Sequence, residues 1–131
     1  MKDRAFSSID LVGQCLIDEV RCLAFEKGIK KVVNSNHVVL DVGTGSGILA
    51  LFAVRAGVRK VFALEYDPYV AKIASENFKN NNSDKKITLL RGDARNFKYL
   101  KNNHFDVVIM EMLTTGLVDE FQVQAVNNLH K

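Results

Sequence analysis

Four carboxylates, Asp41, Glu65, Asp93 and Glu111, each stand at or near the carboxyl end of an apolar, strand-forming run. The first belongs to Val38-Val39-Leu40-Asp41-Val42, which breaks into Gly43-Thr44-Gly45-Ser46-Gly47 before Ile48. Glycine lets a backbone come within contact distance of a ligand, and a helix opening at that point offers N–H groups without intrahelical partners. Glu65 closes Val61-Phe62-Ala63-Leu64, 24 residues after Asp41. A carboxylate at the tip of the neighbouring strand is placed to accept both hydroxyls of a ribose. Asp93, after Gly92, is placed to accept from an adenine amino group, and Ala94 can give its backbone N–H to a ring nitrogen. For any single acid, a solvated loop position is the plain alternative. Ligands of open α/β sheets gather at the carboxyl ends of the strands, so four acids there form a constellation that predicts an adenosine-containing ligand.

A dinucleotide fingerprint needs Gly-x-Gly-x-x-Gly, whereas the spacing here is Gly43-x-Gly45-x-Gly47. Asp41, two residues before the first glycine, would repel a pyrophosphate and suits a ligand with a cationic amine or sulfonium. An NAD-dependent dehydrogenase is disfavoured on both counts. Asp-x-Gly-x-Gly-x-Gly resembles motif I of the class I methyltransferases that use S-adenosylmethionine. The resemblance implies that cofactor, with S-adenosylhomocysteine as product, held by Asp41, Gly43, Thr44, Gly45, Gly47, Glu65, Asp93 and Ala94. Tyr66, beside Glu65, would cover the adenine or ribose face, or else pack against the sheet edge.

The tip of the fourth strand bears on the acceptor. Methyltransferases acting on exocyclic amines of bases resemble Asn/Asp-Pro-Pro-Tyr there, and this chain has Glu111-Met112-Leu113-Thr114. Glu111 and Glu120, nine residues apart, resemble the double-glutamate hairpin of protein arginine methyltransferases. Asp18-Glu19-Val20-Arg21 is similar to the same family's Asp-Glu-Val-Arg helix, whose arginine holds the cofactor carboxylate. The resemblance spans roughly residues 16–131 with its pieces in the family's order. It implies methyl transfer to a nitrogen acceptor, with protein arginine foremost. Glu111 and Glu120 would grip the guanidinium through its fork of donors, and Arg21 would pair with the cofactor carboxylate. The chain departs from that family in lacking tryptophan and in carrying Phe25 and Arg95 where the family has tyrosine and glutamate. A small-molecule methyltransferase, or a non-catalytic cofactor-binding module completed by a partner chain, are the alternatives.

The elements that must position these residues follow from periodicity. Ile9, Val12, Leu16, Val20, Leu23 and Ala24 recur at helical steps, predicting one helix over about 8–28 that Gly28 ends. Strands are expected at 37–42, 60–65, 87–90 and 105–110, and helices from Ser46 to near Gly57, from Pro68 behind the N-cap Asp67, and over about 118–129. Near-continuous apolar strands alternating with helices predict an α/β, doubly wound, mostly parallel sheet, which the resemblance makes a Rossmann-like methyltransferase sheet. The family's sheet runs 3-2-1-4-5-7-6, so residues 1–131 are expected to form a single S-adenosylmethionine-binding domain truncated after strand four, with its core over about 37–131. The open edge of strand four would then serve a homodimer or a partner.

Composition narrows the remaining classes. The 131 residues carry a formal net charge of +3 with 47% hydrophobic and 25% charged residues, the balance of an ordinary globular domain. The scattered basic residues argue for a solvated surface rather than a nucleic-acid groove. No run reaches the length of a membrane span or of a signal-peptide core, and a cytoplasmic protein is expected. Cys15 and Cys22, two turns apart on the predicted helix, read as reduced core residues, and no metal site is expected.

Overall fold

Apolar runs that do not alternate with polar residues need cover on both faces, and the chain folds to provide it. A computed structural model describes residues 9–99, 103–112 and 122–129. In chain order these form α1 (Ile9–Ile17), α2 (Glu19–Val32), β1 (Val38–Val42), α3 (Ile48–Arg55), β2 (Lys60–Glu65), α4 (Pro68–Asn80), β3 (Ile87–Arg91), β4 (Val107–Met110) and α5 (Gln122–Leu129). The strands make one parallel sheet in the order β3-β2-β1-β4. The sheet grows outward from β1 to β3, and β4 then pairs on the opposite side of β1, which makes a topological switch point between β1 and β4.

Successive side chains of a strand face opposite ways, and the core divides accordingly. One face of the sheet buries Val39, Val61, Ala63 and Ile109 against Leu49, Phe52, Ala53, Ala74 and Phe78 of α3 and α4. The other buries Leu40, Val42 and Leu64 against Phe62, Leu90, Phe105 and Leu129. The register sets Val42 beside both Leu64 and Met110, and Glu65 beside Arg91, so the carboxyl tips of the four strands lie in line.

The expected α/β sheet, with its second strand at Lys60–Glu65 and the Asp67 cap accepting from Tyr69 and Val70 N–H, is what the structure shows. The single amino-terminal helix is corrected to two. Asp18 caps α2, its side chain accepting the Arg21 N–H at 3.0 Å, and this local bond replaces continuation of α1. Gly28 does not end the helix; it lies inside α2. The break also places Cys15 and Cys22 on different helices, both half-buried, with Cys22 packed against the core. The fourth strand starts at Val107 instead of 105, because Asp106 turns its carboxylate to the Val38 N–H at 2.7 Å. Of the expected tail helix, α5 is described, and residues 118–121 lie outside the described residues. No helix among the described residues is long and apolar enough to cross a membrane.

Candidate functional site

The turn after β1 is built from backbone conformations that favour glycine. Gly43 and Gly47 have φ of +70° and +87°, in the left-handed region. The N–H groups of Gly43 and Thr44 both donate to the Leu64 carbonyl, at 2.9 and 3.0 Å, and Gly47 N–H returns to the Thr44 carbonyl at 2.8 Å. Space adds a second requirement at Gly47, where a Cβ would come within 2.3 Å of the Phe78 ring. The neighbouring Asn77 donates to the Ser46 carbonyl at 2.8 Å, so α4 clamps the turn from below.

Asp41 anchors this turn from the sheet. Its carboxylate is 1% exposed and accepts the Thr44 hydroxyl at 2.6 Å. Burial pushes its pKa up to about 6, against the opposing hydrogen bonds of the Thr44 hydroxyl and the Ala50 amide; the nearby Glu65 charge raises it further and Arg21 lowers it. Glu65 is also buried, and it stitches two segments together. One oxygen accepts the Gly45 N–H at 3.0 Å, and the other accepts the N–H groups of Tyr66 and Asp67 at 2.9 and 3.0 Å. Three backbone donors hold the carboxylate beside the glycine turn.

Along the same edge, Asp93 is held by Arg95, whose Nε lies 2.9 Å from both carboxylate oxygens and whose backbone N–H also donates to it. The Arg95 hydrogen bond holds the Asp93 carboxyl below the usual range. Ala94 packs partly buried beside Asp93, its carbonyl accepting from Asn128 at 2.9 Å. Tyr66 is exposed, as is Tyr69.

Across the switch point, Glu111 follows β4 and meets Arg21 of α2, Nη2 to Oε2 at 2.6 Å. Arg21 Nη1 donates to the Cys15 carbonyl at 3.1 Å, and its guanidinium lies 5.1 Å from the Phe25 ring centroid. Burial opposes the charge on Arg21, but the hydrogen bond and charge of Glu111 prevail and raise its pKa. Two apolar side chains that the sequence did not assign to the site border the turn. A Cβ on Gly43 would meet Met112 at 3.5 Å, and one on Gly45 would meet Val12 at 3.8 Å. Glu120 lies outside the described residues.

The strand order thus lines up Asp93, Glu65, Asp41 and Glu111 along one sheet edge, with the glycine turn between Glu65 and Glu111. Exposed Gly43 and half-buried Gly45 present backbone there, and Arg21 joins the group from α2. Two of these side chains are further defined by their partners. Asp41, the fourth of five residues in a fully buried strand, is turned inward to Thr44. Arg21, expected on a cofactor carboxylate, is paired with Glu111. The positions of Met112 and Val12 carried no signal beyond adjacency to Glu111 and the helical period. No group of His, Cys, Asp or Glu among the described residues could hold a metal.

The family model described as ribosomal protein L11 methyltransferase (PrmA) matches residues 21–131. The chain is 40% identical over 114 residues to the uncharacterized protein MJ1452 of Methanocaldococcus jannaschii, a match covering 87% of this chain and 42% of that protein. It is 38% identical over 105 residues to the ribosomal protein L11 methyltransferase of Staphylococcus saprophyticus, covering 80% of this chain and 32% of that one. Among solved structures, protein arginine methyltransferase 10 of Arabidopsis thaliana superposes with a TM-score of 0.83 at 31% identity, over 96% of this chain and 36% of that chain. The PRMT1 enzyme-prozyme complex of Trypanosoma brucei with AdoHcy superposes at 0.81 and 28% identity, over 95% and 39%. The chain therefore spans about two fifths or less of the length of these relatives.

Proposed function

The chain belongs to the ribosomal protein L11 methyltransferase (PrmA) family, within the class I S-adenosylmethionine-dependent methyltransferases, and we propose that it carries the cofactor site and one acceptor-binding carboxylate of an enzyme that methylates a protein nitrogen. Residues 1–131 would form the S-adenosylmethionine-binding part of that domain, with cytoplasmic location as the accompanying expectation.

The residues present fit the cofactor. Gly43 and Gly45 bring bare backbone to the switch point, buried Glu65 lies beside them, and the inward Asp41 charge suits a ligand with a cationic amine or sulfonium. When bound, S-adenosylmethionine supplies an electrophilic methyl group on its sulfonium. Glu65 would accept from the ribose, Tyr66 would cover the ring system, and Asp93 with Ala94 would face the adenine. Asp41 acts as a positioning residue, since its carboxylate holds Thr44 and reaches the ligand through its field. Gly47 keeps the turn seated on Phe78. Arg21 would receive the cofactor carboxylate.

The observation that supports the acceptor class is the Glu111 contact itself: its carboxylate already accepts a guanidinium N–H at 2.6 Å. A group that holds an internal arginine in this way can hold an acceptor arginine, or another cationic protein nitrogen, and aim it at the methyl. Glu120 would complete the grip. The carboxylate also stabilises positive charge on the attacking nitrogen and can take its proton afterwards. Glu111→Gln is expected to abolish methyl transfer to arginine-containing peptides while binding of S-adenosylhomocysteine survives. Turnover retained by the variant would remove Glu111 from catalysis.

A cofactor-binding module completed by other polypeptide is the alternative that one observation favours. Among the described residues β4 pairs only with β1, and a groove of about 500 Å³ runs between it and α2, lined by Phe25, Ile29, Val32, Val33 and Val108. Further sheet from the same polypeptide, a second copy or a partner would cover it. A stable complex without methylation of any acceptor would support that alternative.

A further inference from the structure

The Arg21–Glu111 pair joins two residues to which the proposed function gives different ligands, and each now occupies the other. Arg21 is fixed on its remaining sides by the Cys15 carbonyl and by Phe25, so it stands as an internal substitute for the acceptor cation. Glu111 likewise stands where a cofactor carboxylate would find its counter-ion. Both side chains are mostly buried, at 20% and 26% exposure, so the contact is partly shielded from solvent screening.

We propose that this ion pair is a latch in which the cofactor carboxylate and Glu111 compete for Arg21, so that filling the cofactor site uncovers Glu111 for the acceptor. The proposal rests on the cofactor reading above and adds its order of events. A contact present in the free protein and lost on binding weakens the ligand that displaces it. By linkage, an acceptor cation that takes Glu111 away from Arg21 strengthens cofactor binding by the same factor. The site is thereby kept from offering a bare carboxylate to cationic protein side chains before a methyl donor is present.

The test compares two ligands that differ only in the carboxylate. Calorimetric titration of the 131-residue chain with S-adenosylhomocysteine and with its decarboxylated analogue, 5′-(3-aminopropylthio)-5′-deoxyadenosine, gives an affinity ratio that reports the carboxylate alone. Glu111→Gln is expected to raise that ratio about fivefold, the scale of one partly exposed ion pair. Arg21→Met should bring the ratio close to one whichever residue stands at position 111. Binding of the analogue shows in the same experiment that each variant is folded. A ratio unchanged or lowered by Glu111→Gln overturns the latch, a lowered one meaning that Glu111 presents Arg21 to the cofactor. Equal affinity for both ligands in the unaltered chain and in Glu111→Gln alike removes Arg21 from the carboxylate and the latch with it, while the cofactor site stands. Binding of neither ligand overturns the cofactor reading and the latch together.

Discussion

Asp41→Asn isolates the energetic cost of the charge beneath the glycine turn. The Asp41 carboxyl is 1% exposed, and burial pushes its pKa up to about 6 from 3.8. In the unfolded chain the group ionises from about pH 4 upward, while the native protein keeps its proton until about pH 6. Between those values the native state binds more protons, so this group's contribution to stability is present at low pH and lost as pH rises. The full loss is about 3 kcal/mol, at about 1.4 kcal/mol for each tenfold change in proton affinity. Asparagine keeps the shape and an oxygen for the Thr44 hydroxyl but cannot ionise. Urea unfolding of both proteins should therefore show the variant gaining on the parent by about 2 kcal/mol between about pH 4 and pH 7.5, most of it below about pH 6.5. Titrating groups remote from Asp41 are common to both proteins and cancel in the difference. A difference that is flat with pH, or that shrinks as pH rises, would refute the assignment of a destabilising buried carboxylate. If Asp41 serves the cofactor as proposed, the same substitution should also weaken S-adenosylhomocysteine binding.

Other outcomes follow from the same geometry. Glu65→Gln replaces one acceptor oxygen with an NH₂ group facing backbone N–H donors, and should lower unfolding stability by about 1–3 kcal/mol before any ligand is added; an effect within experimental error would show that these bonds hold nothing in solution. Gly47→Ala combines a left-handed φ with a 2.3 Å clash on Phe78 and should cost about 3 kcal/mol or more. Gly57→Ala has a similar φ of +91° with nothing within 4 Å, so its cost should stay near about 1 kcal/mol. Equal losses at the two glycines would mean that Phe78 moves aside freely.

Much of the fold is written in local pattern. The unbroken apolar runs, the glycine turn and the Asp67-Pro68 helix start place β1, α3, β2 and α4 within two residues, because strand burial and cap chemistry act between neighbours. The same pattern identified the four acids and the edge they share. The break at Asp18 was locally encoded too, by a capping side chain three residues before Arg21, but the apolar period runs across it and conceals it.

What the tertiary structure decided is which donor each acid receives. Glu111 meets Arg21 across 90 residues because β4 pairs beside β1 and α2 packs on α3 next to it. Glu65 reaches back 20 residues to Gly45 because parallel pairing aligns the tips of β1 and β2. The period of two could place Asp41 on a face, but not tell that the face is fully covered and that Thr44 closes it from solvent. Strand and turn propensities are set by neighbours along the chain. The partners of a carboxylate are set by which crossovers bring strand tips together, and only the folded sheet fixes that.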